Sequence, residues 1–73
     1  MGQTEIKSEL SGLAWKIECE VGHVVAPDTV IMILESMKME IPVEAGVSGR
    51  IKELCVAEGD PVTEDQVLAI VER

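Results

Sequence analysis

The chain has no Phe and no Tyr, and Trp15 is its only aromatic residue. Without rings to fill space, a core must be built from aliphatic side chains. Val and Ile dominate that pool and favour strands over helices. Basic residues are scarce too. Lys and Arg number 6 against 14 Asp and Glu, for a formal charge of −8, and no basic cluster exists to neutralise phosphates. Nucleic acid and an anionic membrane are therefore poor partners. No apolar run approaches the length of a membrane span, and the opening MGQTEIKSEL lacks the charged start and apolar stretch of a secretion signal. The chain reads as cytoplasmic. Met1-Gly2 begins like a myristoylation site, but Ile6 stands where that pattern needs Ser or Thr. Cys19 and Cys55 are too few and too far apart for a metal motif, and a disulfide is not expected in the cytosol. At 73 residues the chain is expected to form one domain, 1–73, with no room for a deep active site.

What is present is a repeat. Shifted by 37 positions, residues 4–35 lie without a gap on residues 41–72. Ser11 meets Ser48, Gly12 meets Gly49, Gly22 meets Gly59, Val25 meets Val62, Asp28 meets Asp65, Val30 meets Val67, Ile33 meets Ile70 and Glu35 meets Glu72. Apart from the chain ends, only Ser36 to Glu40 fall outside it.

Within each half the pattern is β. Trp15, Ile17, Cys19 and Val21 alternate with Lys16, Glu18 and Glu20, the period of a half-buried strand. VIMILE at 30–35 and VLAIVE at 67–72 are nearly continuous apolar runs, as in strands packed inside a sandwich or barrel. Gly12, Gly22, Gly49 and Gly59 mark turns where special backbone angles are expected. Each half offers about four short strands and would expose its apolar face alone, so the halves must close on each other with a pseudo-two-fold relation. The unrepeated Ser36 to Glu40 then joins adjacent strands as a hairpin, with Lys38 at its tip and the termini toward the opposite end.

Met37-Lys38-Met39, centred between the two copies within ESMKMEIP, resembles the biotinyl domains of biotin-dependent carboxylases, and especially small stand-alone biotin carriers and biotin/lipoyl attachment proteins. The resemblance spans essentially the whole chain. It implies an all-β flattened barrel of two four-stranded sheets with the target lysine on an exposed hairpin. It also implies that a biotin protein ligase joins biotin to the Lys38 amine as an amide, and that the carrier then serves a biotin carboxylase and a carboxyltransferase, as a monomer by itself. Lipoyl domains of the same fold carry Asp-Lys-Ala at this hairpin. Met37 and Met39 therefore favour biotin, with lipoate as the alternative cofactor. Most biotinyl domains have Ala where this chain has Ser36. Nothing in residues 22–30 resembles the protruding thumb of some bacterial carriers.

Around Lys38, the exposed thioethers of Met37 and Met39 are expected to form an adaptable recognition surface, and Ser36, Glu35 and Glu40 to assist docking. Glu35 has an equal claim to a purely structural part, because Glu72 has the same neighbours with no lysine beside it. His23, in a Gly-His pair matching Gly59-Asp60, reads as a turn residue. An unmodified interaction module would keep the repeat without needing Met-Lys-Met. An enzyme would need a clustered acid, base or nucleophile, and the acidic residues are spread along the chain instead.

Overall fold

A computed structural model describes residues 2–73; Met1, and with it part of the myristoylation pattern, lies outside the described residues. The strands run β1 Gln3–Lys7, β2 Gly12–Ile17, β3 Val24–Val25, β4 Val30–Ser36, β5 Met39–Glu44, β6 Gly49–Leu54, β7 Pro61–Val62 and β8 Val67–Glu72. They form two antiparallel sheets, ordered β1-β8-β6-β3 and β5-β4-β2-β7. The second is called the hairpin sheet here, and the first the terminal sheet. Each sheet draws two strands from each half of the repeat, so neither sheet exists until both halves are present.

The sequence repeat is also a repeat of register. Glu35 faces Glu40 in the hairpin sheet as Glu72 faces Gln3 in the terminal sheet, and Leu13 faces Glu35 as Arg50 faces Glu72. Irregularities recur at matched places. Ile31 in β4 and Leu68 in β8 are each skipped by the pairing, as are Trp15 in β2 and Lys52 in β6. A bulge turns consecutive side chains to one face. Ile31-Met32 and Leu68-Ala69 are accordingly all buried, which explains the continuous apolar runs. With Ala14, Leu34, Ile51 and Val71 they make a core from which aromatics are absent.

The expected flattened barrel is not formed: the structure has two open sheets, and neither closes into a barrel. The physical reasons lie at the edges. β3 and β7 are two residues long and pair on one side only, too short to bridge to the opposite sheet. On the other side β5 is an edge strand whose Pro42 lacks the N–H that a further strand would need. The seam there is a groove of about 290 Å³ lined by residues that include Ile6, Leu10, Leu34, Ile41 and Val43.

Two local expectations also change. The alternation from Trp15 to Val21 does not hold, because β2 ends at Ile17 and the bulge turns Trp15 outward, 43% exposed, while Ala14 faces the core. Gly22 and Gly59 have left-handed φ of 97° and 91°, as turn residues with special angles should. Gly12 and Gly49 do not; they open β2 and β6, where the backbones of two strands come close. A Cβ on Gly12 would collide with the Glu35 carbonyl oxygen, and one on Gly49 would lie 2.5 Å from that of Glu72. Because backbone cannot swing aside as a side chain can, Gly12→Ala and Gly49→Ala are each expected to lower unfolding free energy by about 1–3 kcal/mol. Urea denaturation measures this, and a neutral result for either would contradict the close approach.

Candidate functional site

The stretch between the two copies of the repeat, Ser36 to Glu40, is centred on a two-residue hairpin turn. β4 ends at Ser36 and β5 starts at Met39, which pair across the ladder, leaving Met37 and Lys38 as the tip. Both have left-handed backbones, with φ of 52° and 65°, the conformation whose twist matches that of the flanking strands. The connection is thus tighter than the span from Ser36 to Glu40. The two-fold relates it to the chain ends, where the Arg73 N–H donates to the Gly2 carbonyl at 2.8 Å. The hairpin is the closed version of an end that is open in the other half.

This geometry puts Lys38 in water. It is exposed, and among the described residues its side chain has no hydrogen bond or ion pair, so its amine is accessible. Met37 is 92% exposed and Met39 61%, so neither belongs to the core. Ser36 has a role the sequence did not reveal. Its hydroxyl donates to the Ser11 carbonyl at 3.0 Å, and the Ser11 hydroxyl accepts the Glu64 N–H at 3.3 Å, tying the foot of the hairpin to two loops. No local pattern could have signalled a bond between residues so far apart in sequence.

The symmetric copy separates the two glutamates. The backbone of Glu35 packs on Gly12 as that of Glu72 packs on Gly49, which is a structural part. Glu40 has no such double, since its mate is Gln3. Glu35 and Glu40 therefore stand directly opposite each other, a like-charge pair that opposes folding. The terminal sheet avoids that pairing.

Nothing else described is arranged for chemistry. The Glu20 N–H donates to His23 Nδ1 at 3.2 Å, just as the Ala57 N–H donates to Asp60 Oδ2 at 2.9 Å, so His23 closes its own turn. Cys19 is buried, Cys55 is exposed, and both are free. Desolvation pushes both thiols up, with help from Glu18 at Cys19 and from Glu53 and Glu5 at Cys55, the opposite of what activates a nucleophile. Among the described residues no group of three or more His, Cys, Asp or Glu could hold a metal, and no helix is long and apolar enough to cross a membrane.

Known proteins share this arrangement. Residues 3–71 match a family profile for biotin and lipoyl attachment, described as "Biotin-requiring enzyme". A biotin/lipoyl attachment protein of Bacillus subtilis is 41% identical over 63 residues, covering 86% of each chain. The biotin carboxyl carrier protein of acetyl-CoA carboxylase from Chlamydia trachomatis is 49% identical over 41 residues, 56% of this chain and 25% of that protein. Among solved structures, the urea carboxylase of Kluyveromyces lactis superposes with a TM-score of 0.92 at 29% identity. The match covers 99% of this chain and 6% of that one, so the likeness is to one segment of a much larger enzyme.

The left-handed tip yields a stability prediction. Asn tolerates this conformation and β-branched residues do not, so Met37→Asn should stabilise the chain by about 0.5 kcal/mol and Met37→Thr should destabilise it by about 1 kcal/mol. Thermal melting of the two variants gives the order, and the reverse order would exclude the left-handed turn.

Proposed function

The chain belongs to the family of biotin- and lipoyl-attachment domains, and from that premise we propose that Lys38 is the residue that receives biotin. The protein is a biotin carboxyl carrier of a biotin-dependent carboxylase system and is itself non-catalytic. The observation that carries the assignment of Lys38 is its place: an exposed amine, without a partner among the described residues, at the tip of a two-residue turn between the two copies of the repeat. A primary amine so placed fits an amide link to the biotin carboxyl group. Forming that amide removes one positive charge, taking the formal charge from −8 to −9.

Once attached, biotin supplies a group that takes up a carboxyl at one active site and gives it up at another. The chain's own residues provide reach and a firm base. A flexible lysine stem on a tight turn lets the group enter unlike active sites, while the Ser36–Ser11 bond and the β4–β5 ladder hold the foot still. Tethering also keeps the local concentration of the group high. Met37 and Met39 offer thioether surface that adapts to more than one partner.

The chain works with biotin-dependent carboxylase machinery. Within it, the partners in this reading are a biotin protein ligase, a biotin carboxylase and a carboxyltransferase, each meeting a monomeric carrier in the cytoplasm. Two free thiols accord with that compartment. Residues 1–73 act as one carrier domain in this reading, the described halves being interlocked by the shared sheets.

Intact mass of the chain after co-production with a biotin protein ligase and free biotin, beside Lys38→Arg, tests the reading. One biotinyl increment that disappears in a variant of unchanged melting temperature is the expected result. An increment that persists in Lys38→Arg would move the site. A wild-type chain modified only by a lipoate ligase would change the cofactor.

A further inference from the structure

The two-fold gives each exposed position a control, the residue that performs the same structural task in the other sheet. The outer faces of the two sheets differ sharply under that comparison. On the terminal sheet, Arg50, Lys52 and Glu5 stand at the positions that Leu13, Trp15 and Pro42 occupy on the hairpin sheet. The fold therefore accepts charge at these places. Leu13 and Trp15 are nevertheless each 43% exposed. Pairing joins them into one patch: Leu13 lies between Glu35 and Pro61, the bulged Trp15 and its neighbour Lys16 lie opposite Ile33, and Ile33 lies opposite Pro42. Lys16 rests over the Trp15 ring, its Nζ 5.6 Å from the centroid. A contiguous exposed apolar patch holding a tryptophan has the composition of an interface centre.

The surroundings indicate what covers it. The row that holds Leu13 ends in the like-charged pair Glu35 and Glu40, one residue from the hairpin turn, on a chain with a formal charge of −8. A matching surface is apolar at its middle and basic toward the lysine. Distance decides between the enzymes that use this hairpin. An enzyme acting on the bare amine must come within one four-carbon stem of the backbone and so must touch the adjoining sheet. One that acts at the far end of the biotin arm can stand off.

Resting on the carrier reading above, we infer that the outer face of the hairpin sheet, centred on Leu13 and Trp15, is the docking surface for the enzyme that acylates Lys38. Glu40, whose counterpart is Gln3, supplies the acidic margin, and Glu35 lies beside it.

The test is a variant that copies the other sheet, Leu13→Arg with Trp15→Lys. Initial rates of biotin attachment by a biotin protein ligase are measured against concentration of the unmodified chain, with Arg50→Ala/Lys52→Ala as the control on the opposite face. The expected result is a KM raised at least tenfold with kcat within twofold, and no change in the control. If the double variant loses its cooperative melt, the single Trp15→Lys is read in the same way, with a KM raised at least threefold. A labelled wild type whose KM is matched by the variant overturns the docking face alone. Normal labelling with impaired carboxyl transfer assigns the face to a carboxylase component and overturns the proposal. So does a wild-type dimer that the double variant dissolves. A wild type that takes up no biotin, by mass, overturns the carrier reading and this inference with it.

Discussion

Everything in this molecule depends on the interlocking of its halves. Strands β2 and β4 of the first half build the hairpin sheet while β1 and β3 complete the terminal sheet, and the second half does the reverse. Neither half can bury its apolar strand on its own, and no sheet forms from local pairs alone. The constraint also positions the site. Once β4 and β5 are neighbours in one sheet, the few residues between them have to turn back immediately. Met37 and Lys38 take the left-handed conformation that a two-residue turn demands. The lysine is exposed because the frame leaves its segment nowhere to be buried.

Symmetry then separates structure from function. Where the halves agree, a physical task explains the residue, as for Gly12 with Gly49 under the carbonyls of Glu35 and Glu72, or His23 with Asp60 closing a turn. Where they disagree without a structural reason, the fold alone does not account for the residue. The halves differ at many positions, and among them are the hairpin tip, Glu40 against Gln3, and Leu13 with Trp15 against Arg50 with Lys52. These lie on or next to the sheet that carries the lysine. A like-charge pair and an exposed tryptophan both oppose stability or solubility, and the terminal sheet shows that the fold does not require either.

Much of this was legible in the sequence. The repeat is gapless, so it fixed the relation between halves and isolated Ser36 to Glu40, and with Met-Lys-Met at its centre it indicated the site. What was not legible has definite physical causes. Alternation placed Trp15 inward because a bulge is invisible in a periodicity count, and one skipped residue reverses every face after it. Gly12 and Gly49 read as turn formers because a glycine needed for close approach looks the same in sequence as one needed for its φ. Barrel closure depends on hydrogen bonds between edge strands, and the shortness of β3 and β7 is a matter of tertiary pairing. The Ser36–Ser11 bond joins loops that only the assembled sheets bring together.

In this reading a rigid, symmetric frame presents one lysine whose modification leaves the frame unchanged. A proton–nitrogen amide correlation spectrum of the labelled chain, recorded before and after biotin is attached, tests it most directly. The expected result is a set of shifts confined to residues 35–40 and to Ser11 and Gly12 at the foot of the hairpin. Shifts spread through β8, or centred on the seam at Ile6, Leu10 and Val43, would contradict it, showing that the attached group repacks the domain or folds back against it.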